Sequence, residues 1–92
     1  MRLNADDVRD AVFSRSRMRR RRYTESEVDA FLGLIEVTLR GRGSLSAEDV
    51  ARVAFSTPPR GQAGYRADDV DAFLGHAEAA LADLDTRRST DS

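Results

Sequence analysis

The chain contains no cysteine, no tryptophan, one histidine and two prolines in 92 residues. Without cysteine there are no disulfides, no thiolate metal sites and no thiol nucleophile, which fits a cytoplasmic setting. All 15 basic residues are arginine rather than lysine, a bias that codon composition explains without any functional demand. No apolar run resembles a signal peptide, and none approaches the ~20 residues of a spanning helix, so membrane contact is expected to be peripheral. A chain of this length is one domain or two very small units, with little room for an enclosed active site. The formal net charge of -1 conceals an uneven distribution that matters more than the total.

What is present is a repeat. A shift of 42 residues aligns Leu3–Leu39 with Leu45–Leu81 without a gap, and 15 of 37 positions are identical. The identities concentrate at Val8/Val50, Phe13/Phe55, Tyr23/Tyr65 and the two runs Val28-Asp29-Ala30-Phe31-Leu32-Gly33 and Val70-Asp71-Ala72-Phe73-Leu74-Gly75. Two copies of one supersecondary unit explain this, and neither is long enough to bury an independent core.

Each copy reads as a short helix, a loop of about a dozen residues and a longer helix. Asn4 with Asp7, and Ser46 with Asp49, have capping-box spacing; so do Thr24 and Glu27. Val8 and Val12 lie four apart, on one face of the first helix. Val28, Phe31, Leu32, Ile35 and Leu39 form an amphipathic stripe, matched by Val70, Phe73, Leu74, Ala77 and Leu81, with Leu84 as an extension. The spacing predicts helices near 4–13, 24–40, 46–55 and 66–84. The expected fold is all-α: two tandem helix-loop-helix repeats packed as a pseudo-twofold four-helix unit. Repeat 1 spans 3–40, a Gly41-Arg42-Gly43-Ser44 linker 41–44, repeat 2 45–85, and a disordered tail 86–92.

Charge bears on which stripes meet. Residues 1–44 carry ten arginines against seven acids, and residues 45–92 five against nine. Copy 1 is therefore net positive and copy 2 net negative, which favours pairing of the two copies within one chain, within the limits of salt screening. A monomer or simple dimer is expected.

The second copy carries Leu45-Ser46-Ala47-Glu48-Asp49-Val50, then Phe55-Ser56, Pro58-Pro59, Gly64-Tyr65 and Asp69-Val70-Asp71-Ala72-Phe73-Leu74. This combination resembles the DivIVA domain, and the likeness extends over about 37 residues twice. The resemblance implies a parallel helical dimer that, in that family, precedes a long coiled coil. It also implies a loop between the helices that reaches the inner face of the bacterial membrane, and a role as a scaffold in division, chromosome positioning or polar growth. The chain departs from the pattern in two ways. Few helical residues follow Leu81, so the coiled coil is missing, and copy 1 has lost the loop prolines and glycines.

In their place stand Arg15, Arg17, Arg19, Arg20, Arg21 and Arg22, with Met18 among them. Six cations within eight residues suit an anionic membrane surface, where each contributes up to ~1 kcal/mol, and Met18 offers shallow insertion; copy 2 offers only Arg60. The same run could contact nucleic-acid phosphates, but a pI of about 5.8 leaves no broad basic face. The alternative to membrane or DivIVA-scaffold binding is thus a soluble nucleic-acid-associated protein using the arginine loop. His76 has no second ligand or base at catalytic spacing, and the acid pairs lie in helix first turns, so neither catalysis, cofactor nor metal is expected. Gly33 and Gly75 interrupt helical patterns, which a close helix approach or common inheritance would explain.

Overall fold

The computed structural model describes residues 3–17 and 21–90. Along the chain run α1 (Ala5–Arg9), β1 (Arg15–Ser16), β2 (Arg22–Tyr23), α2 (Glu25–Leu39), α3 (Ala47–Arg52), β3 (Gly64–Arg66) and α4 (Ala67–Thr90). The all-α expectation is therefore wrong. The fold is mixed, with a three-stranded antiparallel sheet in the order β1-β3-β2. Strands of two or three residues are too short for period-two alternation to register in a sequence, which is why these segments read as loop.

The short helices form where their caps put them. Asn4 and Asp7 close a reciprocal capping box at α1, and Ser46 and Asp49 do so at α3. Both helices end sooner than their apolar spacing implied, at Arg9 and Arg52. Val12, expected on the buried face, is 91% exposed, because the chain has already left the helix to reach β1. α2 ends in a Schellman motif: Gly41, at φ 88°, donates to Thr38 O, and Arg42 donates to Val37 O. Glycine takes that left-handed position without a Cβ penalty. α4 continues through Thr90, past the expected limit near 84.

β2 and β3 are paired with Tyr23 opposite Tyr65, and α2 and α4 leave them side by side. Leu39 lines one cleft with Ala80 and Leu84 at the far end, so the two long helices run parallel. Their facing stripes make the core. Val28, Ile35, Val70, Ala77 and Leu81 are buried, as are Leu32 and Leu74, with Val8 and Val50 packed from the short helices. Phe31 and Phe73, expected to be buried together with the other stripe residues, are only half-buried; they stack edge-on against Phe55 and Phe13, respectively.

The two copies exchange hydrogen bonds in pairs that repeat with the same 42-residue offset. Tyr23 donates to Asp71 and Tyr65 to Asp29, each at 2.8 Å. The Thr24 amide donates to Ser56 O at 2.9 Å and the Arg66 amide to Ser14 O at 2.8 Å. Ser56 N in turn donates to Glu27 and Ser14 N to Asp69. Thr24 and Glu27 therefore do not cap their own helix as expected: the Thr24 side chain makes no cap bond and donates to Ser56 O. No close approach explains the helical glycines, since a Cβ at Gly33 or Gly75 would meet nothing within 4 Å.

Ile35 and Leu34 are neighbours on α2 with opposite environments. Ile35→Ala should lower stability by about 2–5 kcal/mol, as for other buried truncations, whereas Leu34→Ala should change it by about 0.5 kcal/mol or less. Chemical denaturation of the two variants checks this; equal losses would mean that the core lies elsewhere.

Candidate docking surface at the sheet end

The sequence singled out Arg15, Arg17, Met18, Arg19, Arg20, Arg21, Arg22 and Arg60 as one basic loop surface. The structure separates them. Met18, Arg19 and Arg20 lie outside the described residues. Arg15, Arg17, Arg21 and Arg60 are exposed, while Arg22 is only 8% exposed.

Arg22 is the correction with the largest consequence. Its guanidinium donates to the carbonyls of Gln62 (3.1 Å), Pro59 (3.2 Å) and Pro58 (3.4 Å). Those carbonyls belong to the loop of copy 2, where Gln62 N donates to Pro59 O and Gly61 adopts φ 88°, as a turn with glycine at its third position requires. A planar, five-donor head group suits a cage of carbonyls. Arg22 thus builds the fold and is not part of a solvated charge run. Near it, a Cβ on Gly64 would come within 2.7 Å of Tyr23 O and 2.8 Å of Pro58 Cγ, so only glycine lets β3 sit against this loop.

Among the described residues the sheet has no fourth strand, for a related reason. Pro58 occupies the position equivalent to Ser16 of β1 and has no N–H to give to a ladder. Copy 2 therefore wraps Arg22 where copy 1 forms a strand, and the turn bearing Arg60 is brought to the same end of the molecule as β1 and β2.

The exposed arginines differ in freedom. Arg15 donates to Glu25 at 2.9 Å and lies 5.7 Å from the centre of the Tyr65 ring; the Glu25 hydrogen bond and charge hold its pKa above the ordinary value. Arg21 reaches the Tyr23 hydroxyl at 3.3 Å. Val12 adds an apolar side chain just before Ser14, which bonds to the start of α4. Nothing in the sequence pattern marked Val12 as exposed, because it sits four residues after a buried valine.

Burial, reinforced by the hydrogen bond to the opposite copy's aspartate, raises the pKa of both tyrosines. Glu27 is held below its usual range because its carboxylate accepts the Ser56 amide. Among the described residues, no group of three or more His, Cys, Asp or Glu gathers to hold a metal, and no helix is long and apolar enough to cross a membrane. His76 is exposed on α4.

No protein-family model, curated protein or solved structure matches this chain.

Two measurements test this geometry. Arg22→Ser should cost about 1.5–3 kcal/mol, the range for a buried charged hydrogen-bonding group, while Arg21→Ser should be close to neutral; the reverse order in denaturant melts would remove Arg22 from the carbonyl cage. A raised phenol pKa in the folded state means stability that is complete at neutral pH and is lost as pH rises through that value. With no tryptophan to interfere, ultraviolet titration should show both tyrosines ionising above the ordinary phenol range, coupled to loss of helical circular dichroism. A tyrosine that titrates normally in the folded chain would contradict its bond to the other copy.

Proposed function

We propose that the chain is a non-enzymatic accessory module of the DivIVA type. In this reading its basic end docks on the anionic inner face of a bacterial membrane, as an adaptor to a DivIVA-type scaffold in cell division or polar growth. The observation that carries the reading is the gathering of exposed Arg15, Arg17, Arg21 and Arg60, with exposed Val12, at one end of a molecule 50 Å long and about 20 Å wide. An end-on basic cap meets a flat anionic surface without disturbing the core, and its contacts add at up to ~1 kcal/mol per arginine. The parallel pairing of α2 and α4 from a shared sheet supports the module reading, since it is the arrangement the resemblance implies for two separate chains, here made by one. α2 turns back at Gly41 after Leu39, so the pair cannot continue into a two-stranded coil. That favours an adaptor over a filament former.

Sedimentation with vesicles of anionic phospholipid tests the proposal. Arg17, Arg19, Arg20 and Arg21 changed together to Ser, with Arg22 kept, should abolish binding at physiological salt while the melting curve is unchanged. Arg60→Ser should weaken binding slightly. Wild-type binding should fall steeply with salt, since the contacts are exposed and screened within ~8–10 Å, and Val12→Ser should reduce the salt-resistant remainder. Equal vesicle binding by the quadruple variant would end the membrane reading, and tighter binding to duplex DNA than to vesicles would replace it.

A further inference from the structure

The contacts that join the two copies are indifferent to whether both belong to one chain. β3 pairs with β1 and β2, each tyrosine reaches the opposite aspartate, and Ser14 and Ser56 donate to the opposite long helix. No residue of the connection between α2 and α3 takes part in these bonds. Neither copy is long enough to bury a core alone, so each needs the other copy, from whichever chain. What keeps the pair within one chain is the connection itself, at the end remote from the sheet.

That connection is closed by Thr38 and two glycines. Gly41 takes φ 88° to end α2. Thr38, only 1% exposed, donates to Leu34 O at 2.8 Å and accepts the Leu45 amide at 3.2 Å, which ties the start of copy 2 to the end of α2. Gly43 lies against it: a Cβ there would collide with Thr38 Oγ1 and come within 3.0 Å of Thr38 N and Cα. Rotating the hydroxyl away would break both of its bonds, which is costly for a buried polar group. A side chain at position 43 and the closed turn therefore exclude one another. The turn is not inherited from the repeat. The equivalents of Thr38, Gly41 and Gly43 in copy 2 are Ala80, Asp83 and Asp85, and there α4 runs on as helix.

We infer that this turn is a conformational lock. Closed, it pairs the two copies within one chain; open, it releases each copy to a second chain in a domain-swapped dimer. Copy 1 of each chain then meets copy 2 of the other through the interface already described, and only the turn is lost. Exchange of identical elements between two chains closes at two. The closed connection holds the copies at a high effective concentration, so the unaltered chain is a monomer when dilute. The swapped form carries two basic ends where the monomer carries one.

Complementation between full-length chains tests the interchain pairing. Ile35→Asp disables copy 1 and Ala77→Asp disables copy 2, since both side chains are fully buried and a charge there has no partner. Each variant alone should lose its helical circular dichroism. An equimolar mixture should regain it in part, because copy 2 of the first chain and copy 1 of the second remain sound. Sedimentation equilibrium from about 1 μM to about 1 mM tests the lock. Gly43→Val should raise the dimer fraction at least tenfold over the unaltered chain, and Gly43→Ala should shift it the same way. Gly33→Ala, whose Cβ meets nothing within 4 Å, should leave the mass unchanged. No recovery of helix on mixing would overturn the proposal, as would Gly43 variants that stay folded and monomeric throughout. Gly43 variants still unfolded at the highest concentration would also overturn it, since exchange relieves the collision. None of these readouts involves a membrane, so this inference and the docking proposal fail separately.

Discussion

The reciprocal bonds from Tyr23 to Asp71 and from Tyr65 to Asp29 fix the register in which two otherwise unstable halves meet. Neither copy is long enough to close a core by itself. Each tyrosine stands at the sheet, each aspartate in the first turns of the opposite long helix, and the serine exchanges lie between them. With that frame set, α2 and α4 start level and run parallel. Val28 and Ile35 then come to share one interior with Val70, Ala77 and Leu81. The two halves behave as a dimer whose linker is a Schellman turn.

The same frame makes the two loops unequal. Copy 2 has prolines and glycines that bend its loop into a turn of inward-facing carbonyls, and copy 1 supplies the guanidinium that satisfies them. A charged group is costly to bury unless its donors are used, and Arg22 uses them on three carbonyls of the copy 2 loop. Arg22 adjoins Arg21, which is solvated. Arg21 lies just before β2, and successive residues of extended chain point to opposite sides, so one basic run divides into a structural arginine and surface arginines.

Function follows from what remains outside. The exposed arginines Arg15, Arg17, Arg21 and Arg60 lie at the sheet end and the chain connection at the other, so the connection does not cover them. Leu34 and Val37 lie between, on the flank of α2 away from the core.

The repeat, its offset, both short-helix capping boxes, the two apolar stripes and the break at Gly41 were legible in the sequence, because each depends on residues a few positions apart. The stripe positions Leu32, Ile35, Leu74 and Ala77 are core in the structure as their spacing required. The sheet, the exchange of Ser14 and Ser56, the diversion of Thr24 and Glu27 from capping to cross-copy bonding, and the burial of Arg22 were decided by tertiary structure. In each of these the partner lies about 30 to 55 residues away, beyond any local period. A local pattern can say which groups need a partner. Only the assembled chain, by setting Tyr23 opposite Tyr65, determines which partner each one meets.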